Sequence, residues 1–276
     1  MDDQNHHREF TYWQGIGIFV LLLVTVLVVG GISSTVFGFH VTAILGELLI
    51  FLIPLSFLST GGYSLRRFLA YPGRITFPFW FWTIIASLAL YLVISDISGY
   101  VHRLFPRPLE QKEALLEVFV AKTWMEYIFR IFVACLLAGF CEEFAFRGFF
   151  QSVFSRKLGE IKGFVFTAFL FAFMHLDPWN FAGVFLLALF LGYLVLLTKN
   201  LWVAILVHSF CNCIGFSIGF FSPQVGADFE YTYPPYVTLI CTVIFIFSLN
   251  LLRKAYLENN YGMMNKEFTP NQVSGG

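Results

Sequence analysis

The sequence predicts an all-α protein, a polytopic membrane helical bundle of about eight transmembrane helices, and three observations carry that reading. Hydrophobic residues make up 58% of the 276-residue chain and charged residues only 12%, too little polar surface to coat a water-soluble globule. Apolar runs of about 20 residues, the length that crosses a bilayer, recur from one end of the chain to the other. Glycine, proline and charged residues collect between those runs, with neither an internal repeat nor a low-complexity segment.

Each element follows in order. Residues 1–12 form a polar N-terminal tail, and residues 13–254 a single transmembrane domain. The first run, 13–36, is longer than the apolar core of a signal peptide, and Arg8 faces three acids in the segment before it, so it reads as an uncleaved span. The second, 41–60, holds Glu47 and Pro54; Gly61-Gly62 with Arg66, Arg67 and Arg74 then forms a turn and a basic interfacial loop. A third span covers 77–95. From 96 to 124 charges alternate with Leu115-Leu116 and Val118-Phe119-Val120, the pattern of an amphipathic interfacial helix. Span four (125–154) is closed by Arg156-Lys157, span five (161–176) by the turn Asp177-Pro178-Trp179-Asn180, and Thr198-Lys199-Asn200 joins spans six (181–197) and seven (201–221). The loop 222–235 has two acids and no base, and an eighth span, 236–252, leads into a C-terminal polar tail, 255–276.

Eight crossings put both termini on one side. That side collects Arg8, Arg66, Arg67, Arg74, Arg156, Lys157, Lys162, Lys199, Arg253, Lys254 and Lys266, against Arg103, Arg107, Lys112 and Lys122 opposite, so the positive-inside rule predicts cytoplasmic termini. A net charge of zero offers no basic patch, which argues against nucleic-acid partners. All five cysteines lie in apolar segments and are expected to pack as free thiols.

Charges inside a span need a reason. Residues 127–140 carry Arg130 alone among apolar neighbours, then Glu142, Glu143 and Arg147 arrive together before Phe149-Phe150. An ionisable group at bilayer depth costs roughly 2.5–3.5 kcal/mol on insertion scales and marks a functional site by default. Helical spacing lets Glu143 pair with Arg147 four residues on, while Glu142 points about 100° away and is left free. Two further polar groups interrupt apolar spans: His175, and His208 with Asn212 one turn later on the same face. Counted from the predicted cytoplasmic ends, Glu142, His175 and Asn212 each lie 12 or 13 residues in, and at 1.5 Å per residue they reach one level roughly 18–20 Å deep. Each group has a plainer reading: a satisfied packing histidine, an interhelical asparagine, a structural Glu142–Glu143–Arg147 ion network. Glu47 favours such a reading, as a hydrogen-bonded packing residue or one reaching out from near a span end.

Glu142-Glu143-x-x-x-Arg147, Phe171-x-x-x-His175 and His208-x-x-x-Asn212 resemble, in order, the three motifs of the CPBP family of intramembrane proteases, which includes the CAAX prenyl endopeptidases and bacteriocin-immunity (Abi) proteins. The motifs fall in a protease-like core of about 122–221. The resemblance implies an intramembrane endopeptidase in which Glu142 and His175 activate a water and His208 and Asn212 form an oxyanion hole, with Glu143 and Arg147 in support. The chemistry is coherent, since a carboxylate shielded from bulk water can act as general base and N–H donors on a preformed helix need no reorganisation.

A zinc-dependent version would use Glu142, His175 and His208 as ligands, but no His-Glu-x-x-His helix is present, so a metal-free mechanism is expected and no cofactor is favoured. Two other classes stand beside the protease: a non-catalytic scaffold or immunity protein whose polar core holds helices together, and a transporter with a proton site on Glu142 or Glu47, against which the absence of repeats counts. The expected partners are the lipid bilayer and a membrane-tethered peptide or protein, such as a lipidated CAAX-type tail or a leader peptide.

Overall fold

Helices are the regular structure throughout the described residues, as the long apolar runs require. The computed structural model describes residues 10–60, 74–224 and 228–268, with side chains described except at 60 and 261–268. The expected basic turn at Gly61-Gly62 with Arg66 and Arg67, most of the N-terminal tail and the end of the C-terminal tail lie outside the described residues.

Helix α1 (Tyr12–Thr60) opens on a reciprocal cap: Gln14 N–H donates to Thr11 Oγ1 (3.2 Å) and Thr11 N–H to Gln14 Oε1 (2.8 Å). The expected spans 13–36 and 41–60 are both helical, yet they join as one 49-residue run whose backbone leaves helical values only at Gly38 (φ 74°). That left-handed conformation is open to glycine at little steric cost, so the chain changes direction there without a loop.

Helix α2 (Phe77–Leu104) runs nine residues past the expected end at 95, so only the short helix α3 (Leu109–Phe119), with no buried residue, remains of the predicted interfacial segment. Helix α4 is a rod over 124–158, with two π-helical stretches, Ile131–Leu137 and Phe144–Phe150, on either side of the α-helical turn Ala138–Glu143. Four helices follow: α5 (Glu160–Met174), α6 (Phe181–Thr198), α7 (Leu201–Phe221) and α8 (Pro235–Phe268). The α8 helix continues well past 252, into the segment expected as a polar tail.

Five of these helices, α1, α2, α6, α7 and α8, are long and apolar enough to cross a membrane. The expected count of about eight is not confirmed. The two arms of α1 count as one helix, the π stretches divide α4 into pieces, and α5 has only 15 residues, about 22 Å of rise.

Two apolar clusters fill the bundle. One gathers Leu22 and Leu58 of α1 with Phe144, Phe146, Phe149, Phe150 and Phe154 of α4 and Phe171 of α5. The other joins Phe79 and Leu90 of α2, Leu191 and Leu194 of α6, Val203 and Val207 of α7 and Leu252 of α8. Helices α2 and α8 lie antiparallel: Phe79 meets Tyr256, Trp82 meets Phe247, and Asp96 accepts from Tyr233 N–H (2.8 Å) and Thr238 Oγ1 (2.6 Å). Apolar side chains of α1 and α8 such as Leu27, Ile32, Leu239 and Val243 face outward, as a lipid-facing belt does. All five cysteines are free.

Candidate active site

The centre of the bundle is a three-residue polar network joining α4 to α7. Glu143 Oε1 accepts from Arg147 Nη1 at 2.7 Å, the pairing expected from the i, i+4 spacing, and also from His208 Nδ1 at 2.7 Å. Glu143, Arg147 and His208 are at most 5% exposed, so this is a fully desolvated ion pair with an imidazole attached. Arg147 is held on its other sides by Ala188 O (3.2 Å) and by the ring of Phe171, whose centroid lies 4.4 Å from the guanidinium carbon.

Close approach of the two helices makes the network possible. Gly139, one turn before Glu143, faces α7, and a Cβ there would collide with Ser209 Oγ. With no side chain at 139, Ser209 Oγ reaches Cys135 O (2.5 Å) and Asn212 Nδ2 reaches Ala134 O (2.7 Å), both carbonyls of the first π stretch. Stretches of π geometry widen a helical turn and occur often at functional sites.

Glu142 takes no part in the Glu143–Arg147 pair, as expected. Its Oε2 is buried and without a hydrogen-bond partner, and it faces His208 Nε2 at 3.8 Å. That gap exceeds a hydrogen bond and is the kind of separation a water molecule bridges. Because the carboxylate of Glu143 accepts from Nδ1, the proton on that nitrogen is fixed; Nε2 then offers a lone pair in the neutral ring and an N–H in the imidazolium.

The other expected site residues are placed differently from one another. His175 caps α5, its Nδ1 on Phe171 O (2.9 Å), and no hydrogen bond or ion pair joins it to Glu142 among the described residues. It reaches the network through an aromatic ring: Phe171 lies 4.9 Å from the His175 ring and 5.9 Å from the His208 ring. Asn212 shares the His208 face of α7, but one of its N–H groups is spent on Ala134 O. It also lines a cavity of about 120 Å³ between α2, α6 and α7, walled by Leu90, Tyr91, Leu187 and Cys211.

Glu47 departs from its expected role. Ring contacts of His40 with Phe129 and of Phe51 with Phe140 and Phe144 lay the second arm of α1 along α4 in the same direction. The Glu47 carboxylate lies near enough to Glu142 for their charges to interact, and its Oε2 is buried with no hydrogen-bond partner. A fully hydrogen-bonded packing residue does not fit the unpartnered Oε2.

Residues the sequence did not single out also shape the site. Phe171 was visible as a motif position but not as the ring on which Arg147, His175 and His208 converge, and Gly139 carried only the signal of a small residue one turn before a buried acid. As to zinc, no three His, Cys, Asp or Glu side chains converge as a ligand set among the described residues, so Glu142, His175 and His208 do not fit the metal as arranged.

Comparison with known proteins gives one finding. Residues 123–214, a third of the chain, match the family described as type II CAAX prenyl endopeptidase Rce1-like, in agreement with the CPBP resemblance; Glu142, Glu143, Arg147, His175, His208 and Asn212 lie inside the match and Glu47 outside it. The family is one of membrane proteases, which supports an integral membrane protein with hydrolase chemistry in general. No curated protein and no solved structure matches the chain.

Proposed function

We propose that the chain is an intramembrane endopeptidase that hydrolyses a peptide bond of a membrane-tethered substrate. The observation that carries the proposal is the Glu142 carboxylate, 13% exposed and with its Oε2 buried and unpartnered, facing His208 Nε2 across 3.8 Å, while Glu143 and Arg147 lock the imidazole from behind. A desolvated carboxylate beside a preorganised donor is what water activation and oxyanion stabilisation require. Glu142 takes a proton from water as its oxygen attacks the scissile carbonyl. With His208 as the imidazolium, its Nδ1–H held by Glu143, the developing oxyanion accepts from the Nε2–H and from the remaining Asn212 N–H. Collapse of the tetrahedral species breaks the C–N bond, and Glu142 returns the proton to the leaving amine. His175 orients the water from the end of α5. The cavity beside Asn212 would take an aliphatic side chain next to the scissile bond. In this reading the two arms of α1 together with α4 and α5 complete eight crossings, with both termini cytoplasmic, and the substrate is a lipidated C-terminal tail or a membrane-bound leader peptide.

The test is cleavage by purified protein in liposomes, offered a fluorogenic peptide ending in a prenylated cysteine motif and, separately, a membrane-anchored leader peptide. Wild type should cleave one of them, Glu142→Gln should be inactive, and prolonged treatment with a strong zinc chelator, with elemental analysis showing no bound transition metal, should leave turnover intact. Activity retained by Glu142→Gln would sink the assignment, and activity lost with the metal and restored by zinc would overturn the metal-free chemistry. The buried Glu143–Arg147–His208 cross-link between α4 and α7 also suits a second reading, a non-catalytic scaffold. That reading holds if the folded wild type cleaves neither peptide.

A further inference from the structure

The turn after α5 holds a polar knot that the chemistry above leaves unused. Asp177, two residues beyond His175, accepts at Oδ1 from Trp179 N–H (3.1 Å) and Asn180 N–H (3.4 Å), and at Oδ2 from Asn180 Nδ2 (2.8 Å). Arg107, in the segment between α2 and α3, donates through Nη2 to both carboxylate oxygens (2.6 and 2.8 Å). The same guanidinium lies over the Trp179 ring (4.4 Å to the centroid), and Trp179 Nε1 donates to Phe105 O (2.6 Å). The side chains of Arg107 and Asp177 are 7% and 19% exposed, so the pair is largely shielded rather than a solvated surface contact. Between His175 and Asp177 stands Leu176, with φ at 50°. Leucine pays a steric penalty in that left-handed region, and such residues persist where their surroundings over-determine them.

We infer that Arg107 and Asp177 are positioning residues for His175: they clamp the strained Leu176 turn from the α2–α3 segment, so the imidazole leaves the end of α5 in one fixed direction. The clamp acts on the backbone two residues from His175, while Phe171 O fixes the ring itself. Nothing in the knot touches Glu142, Glu143 or His208, so its effect reaches the reaction through His175 alone.

The inference rests on the endopeptidase reading for its kinetic arm, and a second arm stands without it. Arg107→Gln and the milder Asp177→Asn should each lower kcat at least tenfold with KM within about twofold. Adding Leu176→Gly to Arg107→Gln should recover a substantial part of kcat, because glycine takes the left-handed conformation without the clamp. Independently of activity, histidine-labelled protein should show a slowly exchanging His175 imidazole N–H, assigned by its loss in His175→Gln. That signal should broaden or vanish in Arg107→Gln and return with Leu176→Gly. If the His175 signal survives Arg107→Gln and Asp177→Asn unchanged, the inference is wrong whether or not the wild type cleaves. Loss of kcat only in proportion to lost folded protein, without rescue by Leu176→Gly, overturns it as well. Wild-type inactivity with the His175 signal responding as described would instead count against the endopeptidase reading and leave the clamp standing.

Discussion

Two adjacent glutamates are assigned opposite duties, and exchanging each for glutamine separates them. Glu143 accepts two charge-assisted hydrogen bonds of 2.7 Å in a pocket where it is fully buried and Arg147 is 1% exposed. Glu143→Gln keeps the shape but removes the charge that offsets Arg147, and stranding one member of a buried pair costs about 3–5 kcal/mol. Glu142 has no hydrogen bond at Oε2, so Glu142→Gln should change stability by less than about 1 kcal/mol while abolishing cleavage. The assay is unfolding of purified protein in mixed micelles, followed by tryptophan fluorescence, run beside the cleavage measurement. In the double variant Glu143→Gln/Arg147→Gln the stranded charge is gone, so the two changes should be non-additive by about 0.5–3 kcal/mol. Equal destabilisation by Glu142→Gln and Glu143→Gln, or additivity in the double variant, would refute the division of roles.

Two further outcomes follow from the same geometry. Glu47→Gln removes the charge of a carboxylate whose Oε2 is buried without a hydrogen-bond partner and which interacts with Glu142, and should hold or raise stability with most activity kept; a loss as deep as that of Glu142→Gln, read in the cleavage assay, would make Glu47 part of the chemistry. Gly139→Ala places a methyl group against Ser209 Oγ and should cost about 1–3 kcal/mol and more than tenfold in turnover as α7 is pushed from α4; wild-type turnover with unchanged unfolding would show the close approach to be dispensable.

What the sequence made legible is what one helix determines by itself. Spans six and seven, expected at 181–197 and 201–221, match Phe181–Thr198 and Leu201–Phe221 almost to the residue, because Asn180, Lys199 and Asn200 mark their ends. The Glu143–Arg147 pair was readable for the same reason, four residues on one face. Polarity misled where it was taken as the end of a helix. Lys254 and Glu258, 3.8 Å apart and four residues along, sit on α8 as it continues to Phe268, since a charged face ends burial in lipid without ending the helix. Contacts between helices were not legible. Equal depth along three spans placed Glu142, His175 and Asn212 at one level but carried no information about which imidazole would face Glu142.

The flanking π stretches bear on why that partner is His208. Across the α4–α7 contact, three residues of one α7 turn are each committed to α4: His208 to Glu143, Ser209 to Cys135 O and Asn212 to Ala134 O. Two of those acceptors are backbone carbonyls of the Ile131–Leu137 stretch, and the third, the Glu143 carboxylate, closes the Ala138–Glu143 turn just before Phe144–Phe150. Backbone acceptors cannot swing away as side chains do, so α7 is docked on α4 in both rotation and height, and that contact fixes His208 Nε2 relative to Glu142, with the Phe171 ring of α5 packed against Arg147 and His208. His175 arrives by a separate route, through the end of α5, the Leu176 turn and the Arg107–Asp177 pair. The site therefore consists of one rigid half built into the α4–α7 contact and one half delivered by a clamped turn, with the Phe171 ring lying between the two imidazoles.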